Sequence, residues 1–264
     1  MSILEEIKKY KLDFVKNQKI KFSQAEIINR CKNIPLKEKN IFSEKLLSEN
    51  NIQTSIIGEL KRSSPSAGRI VDKSIDLVDI AKRYEENGIS CISILTDEKY
   101  FHGSNHDLIN VKKHISLPVL RKDFIVDEYQ IYESFMIGAN CILLILSILD
   151  DQEAHLFEKI SLSLGLDVLI EAHNEEETRR AERMKSPLIG INNRNLNDFS
   201  VDIDNSINLS KSIKGDKVII AESGINTRAD IDNIRKNSSI STFLIGESLM
   251  KSSNLSENVK NLIN

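Results

Sequence analysis

Eight short runs that are apolar throughout lie near residues 55–60, 91–96, 118–122, 141–147, 167–171, 188–192, 218–222 and 242–246, separated by segments with helical patterning. Continuous rather than alternating apolar character describes strands covered on both faces, and regular alternation with helices describes parallel order with right-handed crossovers. Eight such units in about 200 residues suit a closed α/β barrel, the (β/α)8 or TIM barrel, better than an open doubly wound sheet. Helix signals lie between the runs. Ser74–Tyr84 carries apolar residues at helical spacing with Gly88 as its stop, Asn174 with Glu177 approaches a capping box, and Thr227 with Asp230 opens a further helix.

The runs share a second property, which is that they end in polar groups. Ser55-Ile56-Ile57-Gly58 leads into Glu59-Leu60-Lys61, Val119-Leu120-Arg121 into Lys122, and Asp167-Val168-Leu169-Ile170 into Glu171. Leu188-Ile189-Gly190-Ile191 leads into Asn192-Asn193-Arg194, and Val218-Ile219-Ile220-Ala221 into Glu222-Ser223-Gly224. Strand C-termini form the active-site face of such a barrel, so these residues are expected to converge. Glu59 and Lys61 share one face of a strand, as do Leu120, Lys122 and Phe124. An ion pair at a strand end is the plainer account of Glu59 and Lys61 taken alone.

The first 45 or so residues stand outside the count of eight. They predict two polar helices, roughly Ser2–Asn17 and Ser23–Cys31, followed by a basic connector from Asn33 to Lys39. No separate core is visible there, so residues 1–264 read as a single barrel domain with residues 1–45 as a helical extension packed on it. Ile3, Leu4 and Ile7 are placed to pack near the barrel mouth, which would make the extension a cover for the site.

At a net charge of -3 the chain shows no basic surface for nucleic acid or an anionic membrane. The amino terminus lacks the features of a signal peptide, no run approaches membrane-spanning length, and Cys31, Cys91 and Cys141 are far apart, which together suit a reducing cytoplasm. His102 with His106, and Glu171 with His173, invite a metal, but neither pair has a third ligand nearby in sequence, so no metal is expected. Glycines after the last two runs, in Glu222-Ser223-Gly224-Ile225 and Leu244-Ile245-Gly246-Glu247, stand where barrels bind phosphate through backbone N–H groups. Glu247 must then point away from the anion. The remaining chemistry falls to lysines and glutamates, and a lysine that is desolvated or crowded by cations titrates near neutrality.

Glu59-Leu60-Lys61-Arg62-Ser63-Ser64-Pro65-Ser66, Ile94-Leu95-Thr96-Asp97-Glu98-Lys99-Tyr100-Phe101, Leu120-Arg121-Lys122-Asp123-Phe124, Gly190-Ile191-Asn192-Asn193-Arg194, Ala221-Glu222-Ser223-Gly224-Ile225 and Phe243-Leu244-Ile245-Gly246-Glu247 closely resemble the indole-3-glycerol-phosphate synthases over nearly the whole chain. The resemblance implies closure of the indole ring of tryptophan biosynthesis without a cofactor, from 1-(2-carboxyphenylamino)-1-deoxyribulose 5-phosphate. It implies that Lys122 is the general acid toward the substrate ketone, with Glu171, Lys61 and Glu59 completing the acid–base set and Asn192 and Ser223 assisting. Substrate contacts would come from Ser64, Pro65, Phe101, Phe124, Leu143, Arg194 and Glu222, where Phe101, Phe124, Pro65 and Leu143 form an apolar slot for the anthranilate ring. Phe124 and Leu143 also suit the core. Ser223, Gly224, Gly246 and Glu247 would surround the phosphate.

Ala67 stands where many relatives have lysine, and Asn195 where aspartate is common, which bears on the fine tuning of the loop and of Arg194. The chain ends soon after its eighth unit, so a monofunctional enzyme is expected. Other tryptophan-pathway enzymes are the protein partners the resemblance leaves open. The alternatives are a phosphoribosylanthranilate isomerase, which would use a cysteine and an aspartate and lack the extension, and a catalytically silent scaffold, against which Glu59, Lys61, Lys122 and Glu171 argue.

Overall fold

The computed structural model describes residues 3–35, 38–50, 52–72, 74–195 and 198–264. Among these, the eight apolar runs form parallel strands β1 (Ser55–Leu60), β2 (Cys91–Leu95), β3 (Val119–Lys122), β4 (Cys141–Ile145), β5 (Asp167–Ala172), β6 (Leu188–Asn192), β7 (Val218–Glu222) and β8 (Thr242–Ile245). Each pairs with the next, and β8 pairs back with β1 through Ser55–Gly58 and Thr242–Ile245, closing the expected (β/α)8 barrel. Every strand residue except half-buried Lys122 is buried, one face inside the barrel and the other beneath the helices. That is why the runs are continuously apolar. Strand β4 stops at Ile145 rather than near 147, because the Ile148 N–H turns back onto the Ile145 carbonyl.

The helix starts follow local chemistry. Thr227 and Asp230 form a reciprocal capping box, and Asn174 caps by accepting from the Glu177 N–H. The Glu177 carboxylate, however, turns to the His173 backbone N–H at 2.9 Å instead of closing a box. The first crossover helix begins later than expected, at Leu77, since Asp76 caps it through the Val78 N–H while Ser74 bonds to Asp72. Gly88, at φ 90°, follows its end.

The extension differs most from expectation. Helix α1 (Ile3–Lys21) runs four residues beyond Asn17, through good helix formers, and the Lys19 ammonium reaches Asp127 at 2.7 Å. Helix α2 (Gln24–Lys32) opens with a capping box of Ser23 and Glu26. A third helix, α3 (Ile41–Glu49), was not anticipated where the connector meets β1. Ser2 at the expected start of the first helix, and Leu36 and Lys37 of the connector, lie outside the described residues.

The three helices hold opposite ends of the barrel. Helix α1 crosses the C-terminal ends of β2–β4: Lys11 pairs with Asp97 at 2.8 Å and Asp123 at 2.6 Å, and Lys8 donates to the Ile148 carbonyl at 2.6 Å. Helix α3 lies at the N-terminal ends. Asp167, the first residue of β5, accepts from the N–H groups of Phe42 and Ser43 at 2.9 and 3.1 Å, and Glu49 accepts from Ser55 and Ser90 at 2.9 and 2.6 Å. Phe42 and Leu46 thereby join Ile57, Cys91 and Cys141 in one hydrophobic cluster. All three cysteines are free and buried.

Candidate active site

The polar strand ends converge as expected. Every residue assigned from the sequence to catalysis, substrate or phosphate lines one cavity of about 660 Å³ at the C-terminal mouth, and Ile3, Leu4 and Ile7 of α1 line it too. Alternation along the strands aims Glu59, Glu171 and Glu222 inward from β1, β5 and β7, while Lys122 ends β3.

Lys122 is the hub. Its Nζ lies 2.8 Å from Glu171 Oε2 and 3.1 Å from Glu222 Oε2. Burial by itself would favour the neutral amine, but the charges of Glu171, Glu222 and Glu59 outweigh it and hold the Lys122 pKa far above the ordinary lysine value. The expectation of a lysine titrating near neutrality is therefore wrong for Lys122, because its neighbours are anions rather than cations. The near-neutral group is Glu222, whose pKa is pushed up to about 7 by burial and by the Glu171 charge, against the pull of Lys122. One of its oxygens, Oε1, is buried without a hydrogen-bond partner among the described residues. Glu171 goes the other way. Burial opposes its ionisation, but Lys122 and His173 hold it well below the usual carboxylate range.

Around this hub, Asn192 Nδ2 donates to Glu171 Oε1 at 3.2 Å, and Lys61 meets Glu59 at 2.6 Å within the cavity, so that pair is not an exposed one. Arg194 donates to the Phe199 carbonyl at 3.0 Å, and its N–H to Asn192 Oδ1 at 3.0 Å. Asn195 lies outside this contact; its N–H donates to the Ser200 carbonyl. Ala67 contributes its N–H to Ser64 Oγ at 3.1 Å, closing the loop that carries Ser64, Pro65 and Ser66 to the cavity. The Phe101 and Phe124 rings are 6.2 Å apart, tilted by 42°, and with Pro65 and Leu143 they supply the apolar wall. Leu143 is also part of the core, and Phe124 packs against it.

Two glycines make room for the carboxylates. A Cβ at Gly190 would lie 2.1 Å from Glu222 Oε1, and one at Gly246 would lie 2.6 Å from Glu59 Oε1. Gly246 has φ -126°, so its requirement is space rather than a left-handed backbone, whereas Ser223 and Gly224 both have positive φ, at 67° and 81°. Glu247 turns to Lys251 at 2.6 Å. Of the histidines, His102 Nδ1 is engaged by Ser63 Oγ at 2.6 Å. His173 sits beside Glu171, a neighbour that strand alternation already indicates and that the sequence weighed only as a metal ligand. The Lys11 clamp on Asp97 and Asp123 had no sequence signal, since its partners are over 80 positions away.

A family model described as indole-3-glycerol phosphate synthase matches residues 4–262. A protein of that name from Legionella pneumophila (strain Lens) is 43% identical over 271 residues, covering 99% of this chain and 98% of its own. One from Lachnoclostridium phytofermentans is 45% identical over 221 residues, covering 84% and 80%. Solved structures share the fold at low identity. A thiamine phosphate pyrophosphorylase from Pyrococcus furiosus aligns at TM-score 0.59 and 12% identity over 79% of this chain and 93% of its own. A chain of the tryptophan synthase complex from the same organism aligns at TM-score 0.58 and 14% identity over 80% and 98%.

Proposed function

The chain belongs to the indole-3-glycerol phosphate synthase family, and on that premise we propose that Lys122 delivers the proton that starts ring closure. The reaction converts 1-(2-carboxyphenylamino)-1-deoxyribulose 5-phosphate to indole-3-glycerol phosphate with loss of CO₂ and water, a step of tryptophan biosynthesis. The aryl carbon bearing the carboxylate attacks the ketone, and negative charge grows on the ketone oxygen. A cation placed there stabilises that charge and transfers a proton to it. CO₂ then leaves and the ring regains aromaticity. The new hydroxyl departs as water after a second protonation, while the methylene next to the nitrogen loses a proton.

The observation that carries this reading is Lys122 in the cavity wall, kept charged by Glu171 and Glu222 at 2.8 and 3.1 Å. Glu171, Glu59 and Lys61 serve the dehydration, Lys61 as the second cation and the carboxylates as acceptors. Because a carboxylate is lost as neutral CO₂, each turnover takes up one proton from solvent. Glu222, with its pKa up to about 7, is suited to recharge Lys122. Asn192 and Arg194 position the substrate with Ser64, and the anthranilate ring lies against Phe101, Phe124, Pro65 and Leu143. Phosphate binds at the backbone of Ser223, Gly224 and Gly246, with the Glu247 carboxylate held aside by Lys251.

The test is Lys122→Met, which keeps most of the side-chain volume without a proton. We expect kcat to fall by at least about 10²-fold with product affinity much less affected. Retention of more than about a tenth of wild-type kcat would end the assignment. Residues 1–264 act in this reading as one barrel domain, the extension of residues 1–45 serving the site. A reducing cytoplasm suits its buried free thiols, and association with other enzymes of the pathway can be checked by co-purification.

A further inference from the structure

Glu171 is held at both oxygens, and one of its partners has no task in the reaction described. Lys122 takes Oε2, while Asn192 Nδ2 and His173 Nε2 each lie 3.2 Å from Oε1. His173 follows β5 directly, so alternation turns it inward with Glu171. Its Nδ1 meets Glu177 Oε2 at 3.0 Å, and Glu177 also accepts from the His173 backbone N–H at 2.9 Å and from Asn174 Nδ2 at 2.8 Å. The ring is thus held between two carboxylates. A second cavity, of about 560 Å³, reaches His173 and Glu177 and shares Asn192 and Arg194 with the first.

We propose that His173 is a positioning residue for the cyclisation: clamped by Glu177, its ring fixes the Glu171 carboxylate in charge and in direction toward Lys122. The inference rests on Glu171 acting in the reaction as proposed above. Facing His173 are Glu171 from β5, Glu177 from the following helix, and Asn205, whose side chain reaches the His173 carbonyl; Arg194 and Asp202 line the adjoining cavity. Facing Glu171 are Lys122, Asn192 and His173, with Glu222 and Glu59 around Lys122. Burial would keep the imidazole neutral, but the Glu171 carboxylate 3.2 Å from Nε2 and the Glu177 carboxylate bonded to Nδ1 raise its pKa to about 9, so the ring is a cation at neutral pH. It is then one of the two cations that keep Glu171 ionised.

Steady-state kinetics of His173→Asn from pH 6 to 10 test this. We expect kcat to fall roughly tenfold at pH 8 through lost orientation, with KM changed less than about twofold. The ratio of variant to wild-type kcat should rise toward pH 10, since the wild-type ring loses its charge above about pH 9 while asparagine has none to lose. Glu177→Gln, which keeps the side-chain shape, should act in the same direction more weakly, and by NMR should move the His173 ring titration from about 9 toward the ordinary value of 6.5. That variant carries the test should His173→Asn fail to fold. A variant-to-wild-type ratio flat across pH, together with a lowered melting temperature, would show that the ring only fills space. So would a His173 ring that titrates at its ordinary value in the wild type. Glu171→Gln separates the two readings: if it retains wild-type kcat, the role of Glu171 fails while the ring titration stands.

Discussion

A site built from three inward carboxylates and two lysines depends on glycines that leave space for those carboxylates. Gly190 and Gly246 are such residues: a methyl group at Gly190 would overlap Glu222 Oε1, and one at Gly246 would overlap Glu59 Oε1. Gly190→Ala should therefore fold with its strand intact yet lose on the order of 10²-fold in kcat, because the carboxylate beside Lys122 is displaced. Gly246→Ala should lower kcat as well as phosphate affinity, through Glu59 and its pair with Lys61. A Gly190→Ala enzyme with wild-type kcat would show that Glu222 relocates without consequence. The acids and bases and Gly246 were singled out from motif and strand alternation, whereas the room that Gly190 leaves for Glu222 was not. The protonation of the acids and bases was not legible either, since Lys122 takes its charge from Glu171, Glu222 and Glu59, which arrive from three other strands.

At the scale of elements, α1 and α3 grip the barrel from opposite ends by buried charge. Lys11 is 3% exposed and sits between Asp97 and Asp123, the residue after Lys122. Lys11→Met removes the cation shared by two buried carboxylates, of which Asp123 keeps Arg121 at 3.3 Å, and should cost about 3 kcal/mol, read as a fall in the denaturant midpoint. It should also raise KM, because Ile3, Leu4 and Ile7 of the same helix line the cavity. Deleting the first ~30 residues should leave a folded barrel with weakened substrate binding for the same reason. Unchanged kinetic constants in a folded truncation would show that α1 is dispensable to the site. At the other end, Asp167→Ala strands the first N–H groups of α3. It should cost at least about 2 kcal/mol while kcat stays near wild type, the reaction lying at the opposite barrel mouth. A large loss of kcat with unchanged stability would contradict that division of labour. The strands and three of the crossover helices were readable from periodicity and caps, whereas α3 was not, because its nine residues owe their helix to the packing of Phe42 and Leu46 beneath the barrel and to the Asp167 cap.

For the whole molecule, the buried ionisable groups set a pH window for stability. Asp123 and Glu171 have pKa values below their ordinary 3.8 and 4.5, so their contribution is present above those ordinary values and is lost as pH falls through the depressed ones. Glu222 and His173 are raised, from 4.5 to about 7 and from 6.5 to about 9. Their contribution is full below the ordinary values and is lost as pH rises through the raised ones. The melting temperature should therefore peak between about pH 4 and 5 and decline through pH 9, with His173→Asn flattening the alkaline part. A melting temperature that climbs steadily to pH 9 would contradict the proposed charge states.

By itself the sequence determined the barrel and the polar residues that line its C-terminal mouth. Continuous apolar runs, helix caps and polar strand ends are local properties, and a closed parallel sheet brings the ends of all its strands to one mouth. Only the tertiary structure decided what those residues are. Charge on Lys122, the near-neutral Glu222 and the Lys11 clamp each depend on distances between groups dozens of positions apart. Electrostatic free energy follows those distances and the burial that accompanies them, and neither is written in any local stretch of chain.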